Sequence, residues 1–469
     1  MSECIVEKFG GTSMDQPEVV AGIVEGRSER QIIVVSAAAG ITKKLRNYSV
    51  LATNTEDDTP EIKAIRDEIV ERYDERYKSL GDKTRGALRD YGANLLMPGK
   101  PNPNFYISVG ERLSAKYGGH LFEARSMAPA VIFGPDGKVD YPATMSAIQI
   151  QVHNSREKRL AIPGFYGFDD NLRIHLLDEG GSDRTGSLYG RATGWDYENW
   201  TDQPGIRSAD PRIIAHAPTI GELTWREIRE GANSGSKVLQ GDSISDLGDS
   251  DITVTVRDTF KPDGLFTYAH KDSSRFRERE IDLRHPVVAV SGRDDLAVIN
   301  IDDLGMANSL GYSEGIFKRM RQLGLSLANY PTLEDYASIT LHRTDNNAEA
   351  ILELADYIRQ NLITGGSDNV TIENMGVVSL IGEALHDRRT NAQAVARGIG
   401  SAAVHDITVT SIPGLQGPST SFLVTHRPED DLAEDKRPED YVTTVNRLVR
   451  ILHAYEVEGK SLLSGRKLA

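Results

Sequence analysis

Val6-Glu7-Lys8-Phe9-Gly10-Gly11-Thr12-Ser13 is the stretch on which the reading of this chain turns. The apolar pair Ile5-Val6 predicts a first strand, and the strand ends in a cation, two adjacent glycines and two hydroxyls. These are the ingredients of a polyphosphate cradle. Glycines let backbone N–H groups approach phosphate oxygens, hydroxyls add donors, and a lysine supplies a point charge. The same residues also suit an ordinary strand-to-helix turn, and their spacing is not that of a Walker A loop. The rest of the chain has to decide between the two.

Downstream the pattern recurs. After a predicted helix at 19–23, Gln31-Ile32-Ile33-Val34-Val35 is an unbroken apolar run that predicts a buried strand. It feeds a second small-residue loop, Ser36-Ala37-Ala38-Ala39-Gly40-Ile41-Thr42. Ile62, Ile65, Ile69, Tyr73, Tyr77 and Leu80 follow a helical period. A proline-rich loop at 97–104 precedes a predicted strand at 105–109, and Gly110-Glu111-Arg112-Leu113-Ser114 opens a helix with an acid in its first turn. Strands are expected at 130–133, 160–162 and 172–177, the last running into Asp178-Glu179-Gly180-Gly181-Ser182-Asp183 and a helix. Helix N-termini attract anions, and ligands of open α/β sheets bind at the carboxyl ends of strands. A turn-rich, charged segment at 201–212, a helix at 225–232 and a strand at 252–256 complete this part.

Charged residues from 271 to 284 predict a linker, after which the pattern changes. Strands at 287–291 and 296–301, a helix near 313–323 and strands at 327–330 and 337–341 form one set. A strand at 377–381, a helix at 392–399 and strands at 404–411 and 421–425 form another, and an amphipathic helix follows near 441–454. Two copies of one small α+β unit account for this order. The expected domains are therefore 1–272, 285–365 and 370–469.

Composition bounds the function. At 469 residues the chain exceeds one ordinary domain. It carries no run of about 18 apolar residues and no basic-then-apolar leader, so a cytoplasmic protein is expected. The single cysteine, Cys4, excludes an intramolecular disulfide and a cysteine-rich metal site. A net charge of −15 argues against nucleic acid as the main partner, although a nucleotide needs only a few local donors.

Taken together, Lys8 to Ser13, Ser36 to Thr42, Gly110 to Ser114, Gly180 to Asp183, Thr201-Asp202 and Ala209-Asp210-Pro211-Arg212 resemble the motifs of the aspartate kinase family, in that family's order. The stretch 286–425 resembles its paired ACT regulatory domains. The resemblance implies an amino acid kinase three-layer α/β/α sandwich followed by two α+β ACT domains. It implies transfer of the ATP γ-phosphoryl to the side-chain carboxylate of aspartate, Mg2+ arriving with the nucleotide, and a homodimer or higher homo-oligomer with an amino acid effector.

By the same resemblance, Lys8, Phe9, Gly10 and Gly11 hold the ATP phosphates, and Lys8 and Asp183 are catalytic, Asp183 meeting the substrate ammonium or ordering the lysine. Thr201, Asp202, Arg207, Arg212, Lys237 and Val238 fall where the family holds the nucleotide. Ser36, Thr42, Glu111, Glu179, Ser182 and Asp183 match substrate positions, Glu111 pairing with the substrate ammonium. Met306, Ser309 and Gly311 match effector positions, and Ala328 stands where lysine-sensitive members have an aspartate.

One departure is pronounced. Where the family reads Gly-Arg-Gly-Gly-Ser-Asp, this chain has Asp178-Glu179 in the first two places. That arginine grips the α-carboxylate of aspartate, which an acid would repel. Three arrangements accommodate the change. Another cation such as Arg184 or Arg112 takes the carboxylate; the acceptor is a related carboxylate-bearing compound with a cation for Glu179; or the chain is an inactive regulatory paralogue.

Overall fold

The computed structural model describes residues 4–53, 55–178, 180–233, 241–276, 279, 281–303, 306, 311–332, 335–344, 346–363, 369–404, 407–411, 419–425 and 439–458. They fall into two compact units. The first is drawn from Met1–Ile206, Thr219–Ala232 and Lys237–Glu280, the second from Arg207–Pro218, Asn233–Ser236 and Ile281–Ala469.

The strands of the first unit are β1 Cys4–Phe9, β2 Arg30–Val35, β3 Arg125–Ser126, β4 Arg159–Pro163, β5 Tyr166–Phe168, β6 Ile174–Leu176, β7 Asp196–Thr201, β8 Glu222–Thr224, β9 Val254–Asp258 and β10 Thr267–His270. Eight of them form one sheet in the order β3-β4-β2-β1-β7-β9-β10-β8. Only the β9–β10 pairing is antiparallel. Its helices are α1 Gly11–Met14, α2 Pro17–Glu25, α3 Ile41–Ala52, α4 Pro60–Arg76, α5 Asp82–Leu95, α6 Pro103–Ile107, α7 Val109–Leu121, α8 Tyr141–Asn154, α9 Gly181–Thr193, α10 Trp225–Asn233 and α11 Gly241–Leu247.

Why β1 and β2 lie at the centre follows from their side chains. Val6, Phe9, Ile32, Ile33, Val34 and Val35 are fully buried, and each such burial is worth about 1.5–3 kcal/mol. Phe9 joins a core with residues of α2, α3, α4 and α7, including Val24, Leu45, Tyr73 and Leu113. The other face of the sheet carries α9, which packs against β1 and β7 and is flanked by α8 and α11. The chain leaves β1 toward β2 on one side and returns to β7 on the other. That reversal creates a crevice at the carboxyl ends of the strands.

Three expectations are corrected here. Residues 105–109 are not a strand. Asn102 caps α6 by accepting from the Asn104 amide at 3.0 Å, and Pro103 opens the helix at its first position. A five-residue apolar run has no period that separates strand from buried helix. The strand expected at 172–177 shrinks to β6, which pairs with β5 in a separate two-stranded sheet, while Leu172 sits in a turn with φ of 60°. The strand expected at 130–133 is reduced to isolated bridges at Ile132 and Phe133.

The second unit is built on one antiparallel six-stranded sheet, order β12-β13-β11-β14-β16-β15. Its strands are β11 Ala289–Asp302, β12 Leu327–Asn329, β13 Tyr336–His342, β14 Val370–Ile381, β15 Thr408–Ser411 and β16 Ser419–Thr425. The two strands expected at 287–301 are one. β11 runs through a register shift between Arg293 and Leu296 instead of breaking into two. Helices α12 Tyr312–Gln322 and α13 Ala348–Asn361 close the core over one half of the sheet. Helices α14 Arg388–Val404 and α15 Glu439–Leu452 close it over the other. The repeated order read in the sequence thus meets in the β11–β14 pairing.

Candidate active site

Strand alternation aims the first functional residue. Glu7 and Phe9 point into the layer of α2, α3 and α7, so Val6 and Lys8 point the opposite way, toward α9. There Lys8 Nζ lies 2.5 Å from Asp183 Oδ1 and donates to Asn199 Oδ1 at 3.3 Å. Asn199 on β7 donates its side-chain Nδ2–H to Asp183 Oδ1 at 3.1 Å, closing a triangle across β1, β7 and α9. Both charges are largely buried, with side-chain exposures of 9% and 13%, so each needs the other.

This pair stands on the shared wall of two cavities. One, of about 220 Å³, is lined by Lys8, Gly10, Gly11, Thr12, Ser13, Asp183, Asn199, Thr201 and Asp202. Its lining is mostly polar: glycine backbone, three hydroxyls, and the charged or amide side chains of Lys8, Asp183, Asn199 and Asp202. Gly10 N–H is tied to Trp200 O at 3.1 Å, and Phe9 stacks on Trp200, so Phe9 holds the loop from behind.

The second cavity, of about 480 Å³, takes in Ser36, Thr42, Arg46, Glu111, Phe165, Ser182 and Asp183 as well as Lys8. Its walls are locked by close backbone approach. A Cβ on Gly110 would stand 2.6 Å from the Ala37 Cβ, which requires glycine. Tyr73 Oη donates to Gly110 O at 2.7 Å and accepts from the Ala38 amide, joining the β2 loop to α7. Gly180, with φ of 81°, turns the chain into α9, whose first residues line the cavity.

Glu111 is the unusual group in this second cavity. It is buried, Oε1 accepts from the Ala37 amide at 3.3 Å, and Oε2 has no partner among the described residues. Burial pushes its carboxyl up to about 8, against the pull of backbone N–H donors and Arg46. A buried acid with an unpaired oxygen, on a residue that lines a cavity, is a candidate partner for a cation.

Behind the lysine, Glu7 is fully buried and also raised, to about 7, by desolvation. It accepts from Gln31 Nε2 at 2.8 Å and Trp200 Nε1 at 3.3 Å, and Arg27 bridges it to Glu198.

The structure brings together Lys8, Gly10, Gly11, Ser36, Thr42, Glu111, Ser182, Asp183, Thr201 and Asp202, all expected from the sequence. Arg207 and Arg212 belong to the second unit, where Arg207 donates to Ala217 O and Arg212 pairs with Asp210. Glu179, Lys237, Val238 and Ser309 lie outside the described residues. In the second unit Met306 is buried in a core and Gly311 caps α12. Asn199, Phe165 and Arg46 were not foreseen. Arg46 carried a legible signal, since it follows Thr42 by four residues on one helix face.

The two cations offered for an α-carboxylate are placed elsewhere. Arg184 is engaged with buried Asp246, Nε to Oδ2 at 2.7 Å and Nη2 to Oδ1 at 3.2 Å. Arg112 stacks on Phe105 and lines a different cavity of about 510 Å³ with Lys116 and Tyr166.

The sequence profile of the amino acid kinase family matches residues 3–258, more than half of the chain. Aspartokinase 3 of Bacillus subtilis is 24% identical over 423 residues, covering 85% of this chain and 91% of that protein. Lysine-sensitive aspartokinase 3 of Escherichia coli is 27% identical over 416 residues, covering 82% and 88%. Among solved structures, E. coli aspartokinase III in complex with aspartate and ADP superposes with a TM-score of 0.72 at 22% identity, over 97% of this chain and 100% of that one. The Clostridium acetobutylicum aspartate kinase gives 0.70 at 23% identity, over 95% and 99%. At those identities the superpositions speak for the fold, and the fold agrees with the profile. The chain belongs to the amino acid kinase family, where its relatives are aspartate kinases.

Proposed function

We propose that the protein is an aspartate kinase, transferring the γ-phosphoryl of ATP to the side-chain carboxylate of L-aspartate to give 4-phospho-L-aspartate and ADP. The observation that carries this reading is the Lys8–Asp183 pair between a cavity of glycines, hydroxyls and polar side chains and a cavity lined by a buried carboxyl with one unpaired oxygen. ATP enters the first with its phosphates on Gly10, Gly11 and the hydroxyls, its terminal phosphoryl reaching Lys8. Aspartate enters the second with its ammonium on Glu111 Oε2.

A side-chain carboxylate is ionised at neutral pH and already nucleophilic, so no general base is needed. Its oxygen forms the new bond to the γ-phosphorus as the bond to the β-phosphate bridging oxygen breaks, and no proton moves. The task is to hold two anions together, and the Lys8 ammonium offsets that charge while Asp183 and Asn199 fix its direction.

Among the described residues no group of three or more His, Cys, Asp or Glu side chains could cage a metal. The carboxylates of Asp183 and Asp202 in the nucleotide cavity are hard oxygen donors that would help hold a phosphate-bound Mg2+, which when bound shields phosphate charge. Lys237 and Val238 are proposed nucleotide contacts, as their motif implies. The same reading makes 1–272 the catalytic domain, and 285–365 and 370–469 paired ACT domains that bind an amino acid and join a cytoplasmic homodimer. The pairing of these two halves is supported by the six-stranded sheet that they share. Hydroxylamine trapping tests the activity: ATP-dependent aspartyl hydroxamate is expected, and ATP turnover with another acceptor but not aspartate would refute it.

A further inference from the structure

An amino acid bound between Glu111 and Lys8 brings a second carboxylate into the cavity, and that group also needs a cation. Lys8 is committed to Asp183 and the transferring phosphoryl, Arg184 to Asp246, and Arg112 lines a separate cavity. Among the described residues lining the substrate cavity, Arg46 is the remaining cation. Its side chain is exposed, and it makes no hydrogen bond among the described residues. It lies one helical turn beyond Thr42 on α3, on the same face, and its charge is felt by Glu111.

We propose that Arg46 binds the α-carboxylate of the acceptor and is the residue that makes this site select an α-amino acid. The inference rests on aspartate being the acceptor. A guanidinium takes a carboxylate through two parallel N–H donors, and its planar fork fixes orientation as well as charge. With the ammonium on Glu111 and the α-carboxylate on Arg46, two of the three polar groups of aspartate are held. The third, the side-chain carboxylate, is left to face Lys8. The cation is thus supplied from the β2–α3 loop side of the cavity, which explains how the motif preceding Gly180 can carry an acid in place of arginine.

The test compares aspartate with 3-aminopropanoate, which is aspartate with hydrogen in place of the α-carboxylate, as acceptor or as competitive inhibitor. In the full-length protein Arg46→Ala should lower kcat/KM for aspartate by about 30-fold or more, chiefly through KM. The same variant should change the constants for 3-aminopropanoate and the KM for ATP by less than about threefold. Arg46→Lys should recover part of the loss. Because the side chain is exposed, the fold should be unaffected. Equal losses for both compounds, or no loss for aspartate, would overturn the assignment of Arg46. A protein that makes no hydroxamate from aspartate before any substitution overturns the kinase reading itself, and this inference with it.

Discussion

Replacing Glu111 with glutamine should make the protein more stable and less active, and pH should separate the two effects. In the folded chain the carboxyl titrates at about 8 because it is buried, against an ordinary value of 4.5. The folded state therefore binds this proton more tightly than the unfolded state does. The resulting stability is fully present below about pH 4.5 and is lost progressively as pH rises toward 8. At pH 7 the loss relative to a neutral side chain of the same shape is about 3 kcal/mol, from roughly 1.4 kcal/mol per unit. Glutamine keeps an acceptor for the Ala37 amide and carries no proton to lose. Glu111→Gln should thus raise Tm by roughly 5–10 °C at pH 7–8 and by almost nothing at pH 5. Its cost falls on function. The acceptor's ammonium loses its counter-charge, and kcat/KM for aspartate should fall about 100-fold. In the unaltered protein the ammonium binds the ionised carboxylate, so KM should decrease as pH rises from 6 to 8, and in Glu111→Gln that slope should vanish. Calorimetry and acceptor kinetics at pH 5, 7 and 8 decide the matter. A variant less stable than the parent at pH 7, or a Tm increment equal at pH 5 and 8, would refute the reasoning.

Other substitutions probe the remaining parts of the site. Lys8→Ala should lower kcat by about 100- to 1000-fold and, because Asp183 loses its buried partner, lower Tm by roughly 5–10 °C, and near-normal turnover in the folded variant would remove the phosphate role. Arg27→Ala leaves buried Glu7 and Glu198 without their shared cation, so it should cost about 3 kcal/mol at pH 8. Because Glu7 is already raised to about 7, that deficit should shrink toward pH 5 as the carboxyls take up protons, and a pH-independent deficit in denaturant melts would count against this. With the α-carboxylate on Arg46, Glu179→Arg should change kcat/KM for aspartate by less than about threefold, and a gain of about tenfold would assign the carboxylate to position 179 instead. Lysine in the millimolar range should inhibit weakly or not at all if Ala328 occupies the place that the family resemblance assigns to an acid, and strong inhibition in a titration would show the effector site is misplaced.

Sequence by itself determined the loops. Lys8-Phe9-Gly10-Gly11, Ser36 to Thr42 and Ser182-Asp183 could be read because each combines an expected strand end, small residues and a donor or charge within a few positions, and Glu111 because it is an acid in the first turn of a helix. Those are local properties, set by backbone sterics and side-chain chemistry. The helical period of Ile351, Leu354, Ala355 and Ile358 in α13 is equally local. The Asn102 cap and Pro103 that start a helix before 105–109 are a local signal too. Tertiary structure alone decided the rest. Residues 172–177 left the main sheet for a hairpin with β5 only in the folded chain. No local rule pairs Lys8 with an aspartate 175 residues later through Asn199, since that contact exists only once β1, β7 and α9 are packed. The proton affinities of Glu7 and Glu111 likewise belong to no residue type. They arise from burial, where a missing water shell costs the charged form far more than a neighbouring donor returns, and only the folded chain specifies which carboxyls are dry.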